Sequence, residues 1–290
     1  MTIQTLDQLR EQVQIHHLDR LEEDILKLAK PCARIISTRV DSMDAIPLGA
    51  SRLGGLPDLP PDYQWKNHRG IPLTFIGQFR LSEIAPMDVE GILPPTGWLY
   101  FFYESTEQPW GSDQTERTAW DVHYLPDESA PLKRTSHPVM DVRYGPVEAL
   151  PSNRVEILQG ISLPDSFSSR CTLNFQNDTE RDGYWELVAT ISDKDTTSVY
   201  QFLGYPYLIQ TDVEEYADIG SQSISLDQRF PFANVDSSRW QFLFQIGSDP
   251  YPQRYLDKYW GDGGKLYICI PKASLAQRRF EDSWLTLQCY

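Results

Sequence analysis

Near the start of the chain, apolar side chains recur every three or four positions, at Leu6, Leu9, Val13, Leu18, Leu21, Ile25 and Leu28. That period lays a single stripe along a helix. Thr5 with Gln8 reads as a capping box, and Asp7 suits the positive end of the helix. Lys27 and Lys30 suit the other end, and Pro31 is expected to stop it. The pattern predicts one amphipathic N-terminal helix over residues 1–31, packed on the body or offered to a partner helix.

Beyond residue 32 the period changes to that of strands. Alternating or continuously apolar runs occupy residues 33–40, 73–81, 97–104, 118–125, 240–246, 265–270 and 285–289. Strict alternation places Leu73, Phe75 and Phe79 on one face of the second run and Ile76, Gln78 and Arg80 on the other. In 240–246 it sets Trp240, Phe242, Phe244 and Ile246 against Gln241, Leu243 and Gln245. Between the strands, a helical turn is expected at 82–85, with a Thr211–Glu214 capping box opening a helix to about residue 219. Ser274 with Gln277 is expected to cap a last helix. Residues 51–65 read as an ordered loop: Gly54 and Gly55 bend it, Pro57, Pro60 and Pro61 extend it, and Leu53, Leu56, Leu59 and Trp65 anchor it. Residues 126–183 predict an irregular excursion with strand-like pieces at 139–144 and 154–158, and 185–189 fits either strand or helix.

Two of the strand runs echo each other. A shift of 167 positions carries Phe75 onto Phe242 and Gln78 onto Gln245, then Gly97, Leu99 and Tyr100 onto Gly264, Leu266 and Tyr267. Each half thus carries an aromatic strand with a glutamine, followed by a strand opening G-x-L-Y. The expected fold is α+β: a sheet-rich single body, internally duplicated about a pseudo-twofold, with repeat halves at about 51–125 and 202–290.

Composition narrows the functional classes. A net charge of −15 opposes binding to nucleic acid phosphates and to anionic membranes, and favours a basic protein partner. No run approaches the length of apolar residues that a spanning helix needs. Cys32, Cys171, Cys269 and Cys289 stand far apart with no CxxC, so they read as reduced thiols, and the polar N-terminus has no targeting pattern. Both features lead to a cytoplasmic expectation.

Candidate chemistry is sparse. The five histidines form no H-E-x-x-H, and Asp121 with His123 is at most a two-ligand hint, so no metal and no cofactor are expected. There is no G-x-S-x-G elbow, and G-D-G-G before a strand reads as a turn rather than a phosphate loop, so no catalytic residue is assigned. The residues to watch are Gln78 and Gln245. They either tie the echo strands to the loops near 54–57 and 204–206, or line a cleft with Trp65, Tyr205, Trp240, Trp260 and Asp262 that accepts a peptide or small polar ligand.

Several runs together resemble one family. These are S-x-L-G-G-L-P-D-L-P, P-L-x-F-I-x-Q-F, G-x-L-Y-F-F, L-G-Y-P, W-x-F-L-F-Q-I-x-S, W-G-D-G-G-x-L-Y and R-R-F-x-x-x-W-x-x-x-Q-C-Y. In this order, from Ser51 to Tyr290, they resemble the YwqG-like family, a bacterial family of unknown function. The resemblance implies a cytosolic α+β protein, with the family domain taken as residues 32–290, and gene neighbourhoods rich in secreted toxins and their immunity proteins. It implies no catalytic residues. The expectation drawn from charge and resemblance is a non-enzymatic binding protein, an immunity- or antitoxin-like partner of a basic protein. The alternatives are a carboxylate-dependent hydrolase and a small-ligand sensor at the Gln- and Trp-lined cleft.

Overall fold

The structure is a computed structural model that describes residues 3–138, 149–192, 200–222, 235–248 and 260–290. In chain order its strands are β1 (Lys30–Arg39), β2 (Arg52–Leu53), β3 (Asp58–Leu59), β4 (Asn67–His68), β5 (Ile71–Pro72), β6 (Thr74–Arg80) and β7 (Trp98–Tyr103). There follow β8 (Trp120–Leu125), β9 (Lys133–Arg134), β10 (Asn153–Ser162), β11 (Tyr200–Phe202), β12 (Trp240–Gly247), β13 (Lys265–Pro271) and β14 (Trp284–Gln288). The helices are α1 (Leu6–Ile15), α2 (Glu22–Leu28), α3 (Leu81–Ile84), α4 (Asp178–Ser192), α5 (Val213–Ser221) and α6 (Lys272–Ala276).

Ten strands make one antiparallel sheet in the order β14-β13-β12-β11-β1-β10-β2-β6-β7-β8. Strands that correspond under the 167-residue shift sit at equal distances from the two edges: β7 and β13 are each second from an edge, and β6 and β12 each third. The local geometry follows the same match. The β6–β7 ladder slips between Phe75 and Gly77, and the β12–β13 ladder slips between Phe242 and Phe244. These bulges sit at the same place under the 167-residue shift. Gly54 and Gly55 both take positive φ, as do Leu203 and Gly204 in the matching loop. Gly54 N–H donates to Ile76 O at 2.8 Å, and Leu203 N–H to Leu243 O at 3.0 Å.

The sheet curls until it nearly closes. Phe79 and Phe101 in one half meet Phe202 and Phe244 of the other, with ring centroids 4.8–5.9 Å apart. Each such ring is buried, a gain of about 1.5–3 kcal/mol over exposure. At the two edges, Trp120 of β8 and Trp284 of β14 pack edge to face with centroids 5.0 Å apart. The outer face of the first half is covered by the 54–65 loop through Leu59, Tyr63 and Trp65 against Phe75, Trp98 and Phe102. Helices α1, α2 and α4 form a separate layer, in which Leu9, Val13, Ile25 and Leu187 pack with Ile161 and Leu163.

Several expectations are corrected. The N-terminal stripe is two helices, because α1 ends in a Schellman turn: Leu18 N–H reaches Val13 O and His17 N–H reaches Gln14 O, both at 3.0 Å, with His17 at φ 58°. The stripe continues across the break because α2 buries Ile25 in the same cluster. Pro31 lies inside β1 instead of stopping a helix; β11 pairs only with Ala33 and Arg34 and leaves Pro31 beyond its ladder. The excursion at 126–183 contributes β10, which pairs with β1 along all ten residues at the centre of the sheet, and the start of α4, which also covers 185–189. The expected piece at 139–144 lies outside the described residues. Finally, the bulges break strict alternation: Phe75 packs with Leu73 on the outer face, while Ile76 and Phe79 join the main core.

The Thr5–Gln8 capping box is present, whereas α5 begins after Asp212 with no side-chain cap and α6 begins after Pro271. Glu214 and Ser274 have other partners. Glu214 is buried and pairs with Arg170 at 3.0 Å, and Ser274 Oγ donates to Asp282 at 2.6 Å.

Candidate functional site

The two glutamines sit deep in the body. Gln78 Oε1 accepts the Asp58 N–H at 2.8 Å and its Nε2 donates to Ala50 O at 3.0 Å. Gln245 Oε1 accepts the Tyr207 N–H at 2.9 Å. Both side chains are 0% exposed, so their amides bind loop backbone where a ligand amide or carboxylate would have to stand. Gln78 and Gln245 are therefore not turned into a cleft, as the hydrolase and sensor readings place them. Around Gln78 a buried ionic knot explains the order of the 51–65 loop. Asp58 takes Arg52 Nη1 at 2.6 Å, Arg134 Nε at 3.1 Å and the Gly49 N–H at 2.8 Å.

The remaining residues singled out from the sequence are dispersed. Trp65 is half-buried, donates to Leu73 O at 2.9 Å and rests on Phe102. Tyr205 is buried, with Lys30 Nζ 4.9 Å from its ring centre. Trp260 is fully buried edge-on to Tyr103 and donates to Gly247 O. Asp262 is exposed beside it on the glycine turn, and Trp240 lies elsewhere, donating to Asp218 at 2.9 Å.

What the fold does assemble lies along the seam where β8 faces β14. Side chains and loops bridge the two edges: Trp120 Nε1 donates to Ser283 O and Trp284 Nε1 to Gly111 O, both at 2.9 Å, and Leu287 N–H donates to Trp110 O at 3.1 Å. Gly111 is required there, since a Cβ would lie 1.8 Å from Leu285 O and φ is 73°. The 104–117 loop is pinned further by Glu104, which accepts the Thr106 and Glu107 N–H groups, and by Gln108, which accepts the Gly261 N–H. On this fixed frame Trp110 is 45% and Tyr290 78% exposed, with Glu107 and Asp262 also exposed on the same rim.

At the other end of the seam is a cavity of about 260 Å³ lined by Gln114, Arg117, Arg239, Trp240, Asp282 and Trp284, among others. Buried Asp218 organises its wall. Its Oδ1 accepts from Arg239 Nε and Trp240 Nε1, and its Oδ2 from Gln222 Nε2 and the Asp236 N–H. Arg117 bonds the Glu281 and Trp120 carbonyls and lies over the Trp120 ring; burial pulls its pKa down, against the nearby Asp121, Asp282 and Glu281 charges. The hydrogen bond from Ser274 holds Asp282 below the usual carboxylate range, and Arg279 adds to it.

A third cluster escaped the sequence reading altogether. Burial pushes Asp165 up to about 6 and Lys265 down to about 8. Asp165 accepts the Leu208 N–H at 2.8 Å, and Lys265 Nζ stands 4.3 Å from the Tyr207 ring centre. Asp212, held by Ser168 and Ser169, and Glu214, raised by burial, are close by. These groups lock the 205–214 segment onto the second half of the sheet. Among the described residues no group of three or more His, Cys, Asp or Glu is placed to hold a metal ion. Asp121 instead accepts from Tyr63 Oη at 3.0 Å, and His123 packs on the Tyr63 ring. Also among the described residues, no helix is long and apolar enough to cross a membrane.

No curated protein matches the chain. Residues 51–289, which include both edges of the seam, fit DUF1963, a domain of unknown function, and the chain belongs to that family.

Proposed function

We propose that this protein is a cytoplasmic, non-enzymatic binding protein of the YwqG-like type, engaging a basic protein in the manner of an immunity protein or antitoxin. The observation that carries this reading is the rim at the seam, where Trp110 and Tyr290 are exposed beside Glu107 and Asp262. Tryptophan and tyrosine anchor protein interfaces. Backbone already fixed by hydrogen bonds to Gly261 and Leu287 loses little freedom when a partner docks. Of the residues picked out in the sequence, Asp262 supplies rim charge and Trp260 the buried support under the turn. The net charge of −15 steers a basic partner toward the molecule.

The equal placement of β6 and β12 and of β7 and β13 in the sheet, the paired bulges and the paired glutamines support descent of residues 51–125 and 202–290 from one duplicated unit.

The test is affinity capture from a lysate of the source organism with wild type and Trp110→Ala side by side, washed at low and then high salt. The expected result is one basic protein retained by wild type at low salt, shed at high salt and absent from Trp110→Ala. A captured set that is identical for the two proteins, or empty for both, sinks the reading.

A further inference from the structure

The seam cavity has an imbalance of hydrogen-bonding groups. Its carboxylates are engaged by protein donors: Asp218 accepts four, two at each oxygen, and Asp282 accepts Ser274 Oγ and Arg279 Nε at its Oδ2. Its indole N–H groups are occupied too, Trp240 on Asp218 and Trp284 on Gly111 O. Arg239 differs. Its Nε is on Asp218, which fixes the plane of the guanidinium, while Nη1 and Nη2 have no partner among the described residues. A fixed guanidinium with two parallel N–H donors left over matches the two oxygens of a carboxylate. Arg117, bonded to two carbonyls, adds a second positive charge to the same wall.

The rest of the lining selects the body of the ligand. Trp240 and Trp284 are packed into the wall, each 2% exposed, and with their N–H groups turned to protein acceptors what they give the cavity is apolar ring edge. A volume of about 260 Å³ falls just under the usual range for small-molecule sites, about 300–1,000 Å³. It admits one ring with its acid group and little more. We infer that the seam cavity is a binding site for a small aryl carboxylate, its acid group on the Arg239 fork and its ring against the Trp240 and Trp284 walls. This site is separate from the rim residues invoked for a protein partner and stands without them.

The inference is tested by titrating the full-length protein with benzoate and, in parallel, with benzamide, a neutral molecule of nearly the same shape. Tryptophan fluorescence and calorimetry both serve as readouts. Benzoate is expected to bind saturably and benzamide at least about tenfold more weakly, the ratio for losing a charge-assisted pair. Arg239→Gln is expected to lower benzoate affinity by a similar factor. Arg239→Lys, which keeps a cation near Asp218 but not the fork, should recover only part of it. Equal binding of benzoate and benzamide to the wild type overturns the inference, and needs no variant to fold. So does full benzoate affinity in Arg239→Gln, or no benzoate binding at millimolar concentration.

Discussion

Gln78 and Gln245 make the same bond at matching places: the Oε1 of one holds the Asp58 N–H at 2.8 Å, and that of the other holds the Tyr207 N–H at 2.9 Å. Each thereby fastens the loop that follows the double positive-φ bend to the bulged strand of its own half. The first prediction follows. Gln78→Leu keeps the volume but strands the Asp58 N–H and the Ala50 carbonyl, so it should lower stability by roughly 2–4 kcal/mol in urea denaturation. Gln78→Glu sets a second carboxylate beside Asp58 and should cost more at neutral pH, with partial recovery on acidification. A Gln78→Leu protein as stable as wild type would show that the bond carries no weight.

Asp58 is the centre of the ionic knot. Burial alone would raise its pKa, but the Arg52 hydrogen bond and charge, aided by Gly49 and Arg134, overcome this and hold the carboxyl below the usual range. Because the folded-state value is depressed, the stabilisation is present above the unfolded value of about 3.9 and is lost as pH falls through the folded one. Asp58→Asn leaves Arg52 buried without its counter-ion and should cost about 3–5 kcal/mol at neutral pH. Its deficit against wild type should shrink at acid pH. A deficit independent of pH would rule out the charge as its origin.

Asp165 and Lys265 act in the opposite sense. Asp165 titrates near 6 in the folded protein, above its unfolded value, so its contribution falls as pH rises from about 4 to about 6. A shift of that size is worth about 3 kcal/mol. Lys265, lowered to about 8, adds a rise in stability from about pH 8 to 10. The stability profile of Asp165→Asn should therefore lack the decline between pH 4 and 6 that wild type carries, and Lys265→Met should lack the alkaline rise. Parallel profiles for variant and wild type would contradict both assignments.

Two backbone positions give opposite outcomes for opposite substitutions. Arg278 follows α6 with φ 58° and an exposed side chain, so Arg278→Gly relieves a left-handed residue and should raise stability by about 1 kcal/mol. At Gly54, φ is 63° and a Cβ would lie 2.0 Å from Pro151 O. Gly54→Ala should fail to reach the native fold or melt far below wild type. Thermal unfolding of both variants decides the matter.

The strands that alternate strongly were readable because aromatic residues on a pleated surface leave a period of two. β10 was only half readable: N-R-V-E-I-L-Q-G-I-S carries charged and polar residues on its half-exposed stretch, and the hydrophobic contrast that marks a strand is muted. The bulges at Ile76 and Leu243 left no mark, since one extra residue in a ladder changes parity without changing composition. The matched glutamines were visible as a pair, yet whether an amide meets backbone or solvent depends on loops distant in sequence. The cavity was unreadable for the same reason. Arg117, Arg239 and Trp284 come together only because the sheet curls its edges toward each other, and no local pattern encodes that closure.

The central pairing of β1 with β10 bears on where this protein can be cut. The family match begins at residue 51, whereas β1 ends at Arg39 and lies in the middle of the sheet, between β10 and β11. A protein truncated at the family boundary would lose the strand that joins its two halves. It would also bare the ten-residue flank of β10, an open edge ready to recruit another chain. The unit that folds therefore starts upstream of residue 30, and shortened versions should be sought as aggregates before they are judged for binding.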